Sequence, residues 1–515
     1  MLSGKRRSQR AEATSSCSPY RILSHRFFDL KPKFDLDLPH KVQLGASWFP
    51  NTAMERLSDD VVLLVLQYVG VDDLFTCRLV CKRLGVLALH PGVWRYQHSH
   101  SWRPERRENV CRLLRLAPRL AWLSVDFSPK QDVPSALYAT TRCAVRELMT
   151  HVDVDGGVQA ALFLRNQEAL GQLRVVTLWL TDDRGPNDAV LLATVASSSI
   201  LEKLTIRSGW DHRDSSGLAA AIRHTPIAQP SLKYLNCRLN SNSQPFVDLV
   251  LAGHATTLEV VYLGETTTST GSLPECMPNL RELTCSLLPG METLAPSLTK
   301  VTLQVTPDMR PGVLGATEML RRASKLPQLT LNYRPAARTS AHVGVDLVEA
   351  LAWSGRSAVE VLEIDNDWFT ELVGVDSDDV GIEFLPQLQP LLRTLPSLPA
   401  LRHLELSVYV SPDELLLAIT PETLPALRDL RLIPMRLLPA RCAHDWRHKD
   451  SVQTLLSVNP ALKFNVMTRP YCLKGQRQFC GACAQGCHKT LWKWDWEVEI
   501  NEKRKLSYFD WVHIS

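Results

Sequence analysis

From about residue 110 onward the chain repeats one short pattern: apolar, two residues, apolar, one residue, apolar. It reads LAWLSV from Leu120, LRVVTL from Leu173, LEKLTI from Leu201, LKYLNC from Leu232 and LEVVYL from Leu258. LRELTC from Leu280, LTKVTL from Leu298, LPQLTL from Leu326, VEVLEI from Val359, LRHLEL from Leu401 and LRDLRL from Leu427 continue it. Weaker copies start at Val145 (VRELMT) and at Ala461 (ALKFNV). Alternation of apolar and polar positions over so short a stretch predicts a strand with one buried side. No such strand can bury that side alone, so the copies must stack on one another. The intervening segments Gly217–His224 and Phe246–Leu251 suit helices on the outer side.

Between Leu173 and Leu427 the copies recur on average every ~28 residues, which is similar to the longer leucine-rich repeats. The resemblance implies an α/β fold: a curved parallel sheet with outer helices, a solenoid over residues 110–470. The widest interval, Ile364 to Leu401, holds the acidic run Asp376–Asp379 and is expected to be an inserted surface loop.

Ahead of the repeats lies a different pattern. The stretch Leu57–Trp94 reads LSDDVVLLVLQYVGVDDLFTCRLVCKRLGVLALHPGVW. Ser58 is placed to cap a helix whose first turn holds Asp59 and Asp60. Val61, Val62, Leu64, Val65, Leu66 and Val69 give that helix a broad apolar face, and Gly70 ends it. Asp72 can cap a second helix carrying Leu74, Phe75, Leu79 and Val80, and Pro91–Gly92 close the unit before Trp94. About 40 residues cannot bury so much apolar surface unaided, so the unit needs a partner or an adjoining domain.

These features resemble the F-box, an all-α unit, here over residues 54–100. The match falls without a gap on Leu57, Val61, Leu64, Leu66, Leu74, Val80, Cys81, Lys82 and Trp94. Ser58 stands where the F-box usually has Pro, and Leu84 where it usually has an aromatic. The resemblance implies docking to the Skp adaptor of cullin-based ubiquitin ligases. It places Leu57, Val61, Leu64, Leu74, Val80, Cys81, Lys82 and Trp94 at or near that contact.

In the F-box and leucine-rich-repeat class, which the whole chain resembles, the concave strand face commonly holds a protein substrate. The residues between the apolar positions would face it. They are Trp179, Lys203, Arg207, Tyr234, Arg238 and Tyr262 toward one end, and Glu363, Asp365, Asp367, Glu405, Tyr409 and Asp429 toward the other. Such a face runs from basic and aromatic to acidic.

After Pro470 the character changes. Cys472, Cys480, Cys483, Cys487 and His488 cluster, and the Cys480–Cys483 spacing suits half of a tetrahedral zinc site. Zinc is therefore a candidate ligand, against a set of plain reduced thiols. Trp492, Trp494, Trp496, Val498 and Ile500 alternate with charged residues as one strand, and Leu506–Ile514 can return as a second. Residues 471–515 are thus expected to form a small β-hairpin cap on the solenoid.

Composition narrows the picture. A net charge of +4 over 515 residues is too weak to argue for nucleic acid or an anionic membrane. No apolar run is long enough to span a bilayer, and the cysteines do not make a disulfide scaffold. Residues 1–50 open with Lys5, Arg6, Arg7, Arg10, Arg21 and Arg26 against Glu12 and are expected to be a largely disordered tail. No phosphate loop, HExxH or nucleophile elbow is present. The expected protein is a non-catalytic substrate receptor of a cytoplasmic or nuclear ubiquitin ligase. The alternatives are a repeat scaffold without a ligase role, or a zinc-containing binding module at residues 471–515.

Overall fold

The fold is taken from a computed structural model. It describes residues 57–99, 107–128, 133–153, 155–180, 187–208, 229–238, 244–264, 277–288, 291–293, 297–305, 310–323, 325–333, 345–353, 357–366, 388–408, 412–434, 443–468 and 510–514. Contacts divide the chain into a unit over Met1–Ser58 and one over Asp59–Ser515, and all elements below belong to the second.

Four short helices come first: α1 (Asp59–Leu66), α2 (Val71–Val80), α3 (Lys82–Leu87) and α4 (Pro91–Trp94). Asp72 does not cap α2. Gly70 takes the cap position with extended backbone, and Asp72 and Asp73 lie in the first turn, where the helix dipole favours acids. The expected second helix is α2, and Cys81 separates it from a third, α3. The Cys81 backbone is extended (φ −155°, ψ 165°), and its Sγ accepts a hydrogen bond from the Leu84 N–H, starting α3.

Then comes one sheet. Among the described residues it has fifteen strands in chain order. They are β1 (His98–Ser99), β2 (Arg119–Phe127), β3 (Ala144–Val152), β4 (Val175–Leu180), β5 (Lys203–Ser208), β6 (Tyr234–Arg238), β7 (Val260–Leu263) and β8 (Glu282–Ser286). They continue as β9 (Lys300–Val305), β10 (Gln328–Tyr333), β11 (Val361–Asn366), β12 (His403–Val408), β13 (Asp429–Pro434), β14 (Lys463–Thr468) and β15 (Asp510–Ile514). All thirteen copies of the sequence pattern are strands, β2 to β14. Parallel strands need crossovers, and helices such as Gly157–Ala169, Gln244–His254 and Arg310–Arg322 supply them. The second of these contains the expected Phe246–Leu251. Gly217–His224 and the Asp376–Asp379 run lie outside the described residues.

The core lies between the helices and one side of the sheet. Leu204, Ile206, Leu235, Cys237, Val261 and Leu263 from the strands join Phe246, Val247, Val250 and Leu251 from a helix in one buried cluster. Each such side chain stabilises the stack by about 1.5–3 kcal/mol. The strand positions in between form the other, open face.

The two ends of the sheet differ from the sequence reading. β1 precedes the first copy of the pattern and lies inside the segment assigned to the helical unit. At the far end β15 pairs antiparallel with β14, Phe464 opposite Ile514 and Met467 opposite Trp511. On its described side β15 therefore covers the last repeat strand. The reason is that β14 would otherwise leave a bare edge. Trp492–Ile500 lies outside the described residues.

Candidate functional site

Two surfaces are candidates, one on the helices and one on the sheet.

The helical unit has more apolar surface than it buries. On α1, Val62 and Leu66 face the core, with Val69 packed against it one turn on. Val61, Leu64, Val65 and Tyr68 follow the spacing i, i+3, i+4, i+7, so they share another face, and all four are exposed. Leu79, Val80 and Val86 are exposed too, at 79, 67 and 73%. Leu57, ahead of α1, is 40% exposed.

Inside, Trp94 is fully buried. Its ring lies 5.3 Å from that of Phe75, and its Nε1–H donates to the Ala88 carbonyl at 2.7 Å. The Arg112 guanidinium lies 4.2 Å from the centre of the Phe75 ring. The Gln97 amide donates to the carbonyls of Val69 and Gln67 at 3.0 and 3.3 Å, satisfying groups just past the end of α1. Gln97 also accepts at its own carbonyl from Ala121 in β2. The helices are thus bolted to the sheet, with β1 as the first plank.

Of the residues proposed for docking, Leu57, Val61, Leu64, Val80, Cys81 and Lys82 stand at the surface. Leu74 and Trp94 do not. They are 1 and 0% exposed and hold the unit together from within, so they shape the surface without touching a partner. Val65, Tyr68, Leu79 and Val86 were missed. The signal was present: a helix as short as α1 that is apolar on two faces must bury both.

On the sheet, register sets the open-face residues in rows. One row runs Asp126, His151, Trp179, Arg207, Arg238 across β2 to β6. His151 and Trp179 are stacked, 5.6 Å apart and 10° from parallel, and Arg207 lies 4.8 Å from the Trp179 ring centre. Burial lowers the His151 pKa against the pull of Asp126. Burial, then the neighbouring Arg238, lowers that of Arg207. A second row begins Lys203, Tyr234, Val260, Glu282. Lys203 Nζ sits 4.5 Å above the Tyr234 ring, which is 5.6 Å from Tyr262. The Tyr262 hydroxyl donates to Glu282 at 2.9 Å, and burial followed by this contact pushes its pKa up to about 12.

Farther along, Glu363 accepts from Thr330 at 2.8 Å and Asp365 from Ser407 at 2.7 Å. His403 sits between carboxylates, with Glu405 3.7 Å from Nε2 and Asp429 2.9 Å from Nδ1. Glu405 first, and Asp429 with it, raise its pKa over the opposing effects of burial and Arg431. Trp179, Lys203, Arg207, Tyr234, Arg238, Tyr262, Glu363, Asp365, Glu405 and Asp429 therefore share one face. Asp367 and Tyr409 lie outside the described residues, as do Cys472, Cys480, Cys483 and Cys487. Among the described residues no cluster of His, Cys, Asp and Glu suits a metal ion, and no helix is long and apolar enough to cross a membrane.

The helical unit with its exposed apolar face is followed by a leucine-rich-repeat type of solenoid whose open face carries polar rows. Residues 54–96 match the family described as "F-box domain". No curated protein matches the chain. Two solved structures are remotely similar. The yeast Rad7–Elc1 complex gives 12% identity and a TM-score of 0.35, covering 80% of this chain and 96% of that one. The leucine-rich-repeat protein LegL7 from Legionella pneumophila gives 12% identity and a TM-score of 0.31, covering 66% of this chain and 100% of that one.

Proposed function

We propose that this chain is the substrate-recognition subunit of a Skp–cullin–F-box ubiquitin ligase. The F-box would dock on the Skp adaptor, and the open face of the repeats would hold a target protein. The observation that carries this reading is the exposed apolar surface of the F-box helices, left over after their cores are filled. Burying a Val, Leu or Ile side chain stabilises a contact by about 1.5–3 kcal/mol. Val80, still 67% exposed, can thus add roughly 1–2 kcal/mol on docking. Leu64, Val65 and Leu79 contribute on the same scale.

In this reading the chain does no chemistry itself. It holds a target near the ubiquitin-charged enzyme, so that rate comes from proximity. It works in the cytoplasm or nucleus.

Co-purification with the Skp adaptor tests it. The intact chain should co-elute with the adaptor. Removal of residues 54–100, or a Leu64→Ser, Val80→Asp double substitution, should abolish co-elution without altering the repeats. Mass spectrometry of proteins captured with and without residues 54–100 separates ligase components, which are lost, from targets, which are kept. An intact chain that ignores the adaptor points to a leucine-rich-repeat scaffold outside any ligase.

A further inference from the structure

The open face carries both signs of charge, and the two ends differ in how that charge is met. At the acidic end each described carboxylate has a partner. Glu363 and Asp365 accept from Thr330 and Ser407. Asp429 accepts from Arg431 at 3.1 Å and Asn465 at 2.9 Å as well as pairing with His403, and Glu405 lies 3.6 Å from Arg431. Those carboxylates are thus held by hydrogen bonds within the sheet, and Glu405 and Asp429 also meet His403 and Arg431.

Among the described residues the basic end has no such partners. The open-face positions of β4 to β7 hold Lys203, Arg207 and Arg238 and no acid. Arg207 and Arg238 are register partners on adjacent strands, so their backbones are about 5 Å apart. Their neighbours are aromatic: Trp179 beside Arg207 and Tyr234 beside Lys203. An aromatic face attracts a cation but does not cancel its charge. Among the described residues the buried Nε of Arg207 and Nε1 of Trp179 have no hydrogen-bond acceptor.

The row then stops. Beyond Arg238 the next position on the β7 side is Gly264, whose N–H donates to the Cys237 carbonyl at 2.8 Å. A Cβ there would come within 3.0 Å of the Arg238 Cα. Glycine lets the chain approach closely and leaves the flank of Arg238 without a side chain on that position.

We propose that Arg207 and Arg238 form an oxyanion site that takes a carboxylate or phosphate from an acidic segment of the target protein, with Lys203, two rows away on the same strand, meeting a further acid of that segment. Two arginines at register-paired positions can turn their guanidinium forks onto one oxyanion, whose negative charge relieves the repulsion between them. The stacked His151–Trp179 pair gives the segment a flat surface to lie on. The acidic end, whose carboxylates are already hydrogen-bonded within the sheet, repels such a segment. This rests on the reading of the open face as the target surface.

The test is fluorescence anisotropy with the full chain in its adaptor complex, or alone if no complex forms. The probes are three labelled peptides of one length: glutamate-rich, phosphoserine-containing, and neutral with Gln and Ser in their place. At least one anionic peptide should bind tenfold or more tighter than the neutral one, and the preference should shrink with added salt. Whichever anionic peptide binds tighter identifies the source of the oxyanion. Arg207→Gln with Arg238→Gln should erase the preference, as should Arg238→Gln alone, which alters an exposed side chain and keeps the fold. Glu363→Gln should leave the preference intact. Equal binding of all three peptides, or an undiminished preference in Arg238→Gln, overturns the proposal. Tighter binding of a single-stranded oligonucleotide than of either anionic peptide also overturns it, in favour of nucleic acid. Adaptor co-elution is read separately, so the oxyanion site and the ligase reading can fail independently.

Discussion

Trp94 is the side chain on which the F-box should depend most. It is fully buried, packs 5.3 Å from Phe75 and satisfies the Ala88 carbonyl. Trp94→Ala removes the ring and leaves that carbonyl unpaired. Large-to-small changes of this kind cost about 3–5 kcal/mol. At 1.4 kcal/mol per factor of ten, that is a loss of roughly two to three and a half decades in the local opening equilibrium. A chain of this length need not unfold in one step, so a single melting temperature is a poor readout. Native-state hydrogen exchange is the right one, because it reports opening segment by segment. Amides of Val71–Val80 and Lys82–Leu87 should lose protection by about 100-fold or more. Those of β10 to β13 should keep theirs. Trp94→Phe keeps a ring but not the hydrogen bond, and should fall between, at about 1–3 kcal/mol. If Trp94→Ala left the α2 and α3 amides within threefold of wild type, the assignment of Trp94 as the keystone of the unit would be wrong.

Three further perturbations probe the sheet. Gln167 is fully buried, accepts from the Val145 N–H at 2.8 Å and donates to the Cys143 carbonyl at 3.0 Å. Gln167→Leu should cost about 1–3 kcal/mol for each group left unpaired, seen as a lower denaturant midpoint for β3 and its helix; an unchanged midpoint counts against it. Gly156→Ala places a Cβ 2.0 Å from the Phe127 carbonyl oxygen, so β2 or the following helix must shift. The expected loss is ~1–3 kcal/mol, and wild-type stability in a denaturant titration would contradict the contact. His403 gains its proton more readily when folded, chiefly through Glu405 and then Asp429. Its contribution should be complete below the unfolded pKa of 6.5 and fade as the pH rises through the higher folded value. The stability gap between wild type and His403→Gln should therefore narrow from pH ~6 to ~8, and a gap that widens would reverse the sign of the argument. His254, which burial holds below its ordinary value, runs the other way and weakens the fold as the pH falls.

Much of the sheet was legible because its signal is periodic. A strand with one buried side writes its alternation into the sequence, and thirteen copies reinforce one another. Register followed from the pattern, which is why Trp179, Arg207 and Arg238 could be assigned to one face. Partnership was not legible. Nothing in the sequence shows that Glu363 and Asp365 are occupied by Thr330 and Ser407 while Arg207 and Arg238 are register neighbours. In the F-box, the motif marked conserved types of position without saying which way they point. Leu74 and Trp94 carry the same apolar signal as Leu64 and Val80, and packing alone separates core from surface. The role of Cys81 as a helix cap was hidden for a similar reason, since a thiol is a weak acceptor and rarely read as one.

The strand Asp510–Ile514 has a consequence for how the molecule behaves among its own copies. A parallel sheet has two raw edges, each a row of unpaired backbone groups on which a second chain can build. Here one edge is β1, only two residues long and too short a template to hold a stranger. The other would be the six residues of β14, with Phe464 and Val466 ready to pair. β15 runs against the grain of every strand before it, lays Ile514 into the core beside Phe464, and sets Trp511 over toward Arg431. It acts as a stopper. A chain cut before Asp510 would keep its F-box and the polar rows of its open face but lose this barrier, and at high concentration it would dimerise through β14.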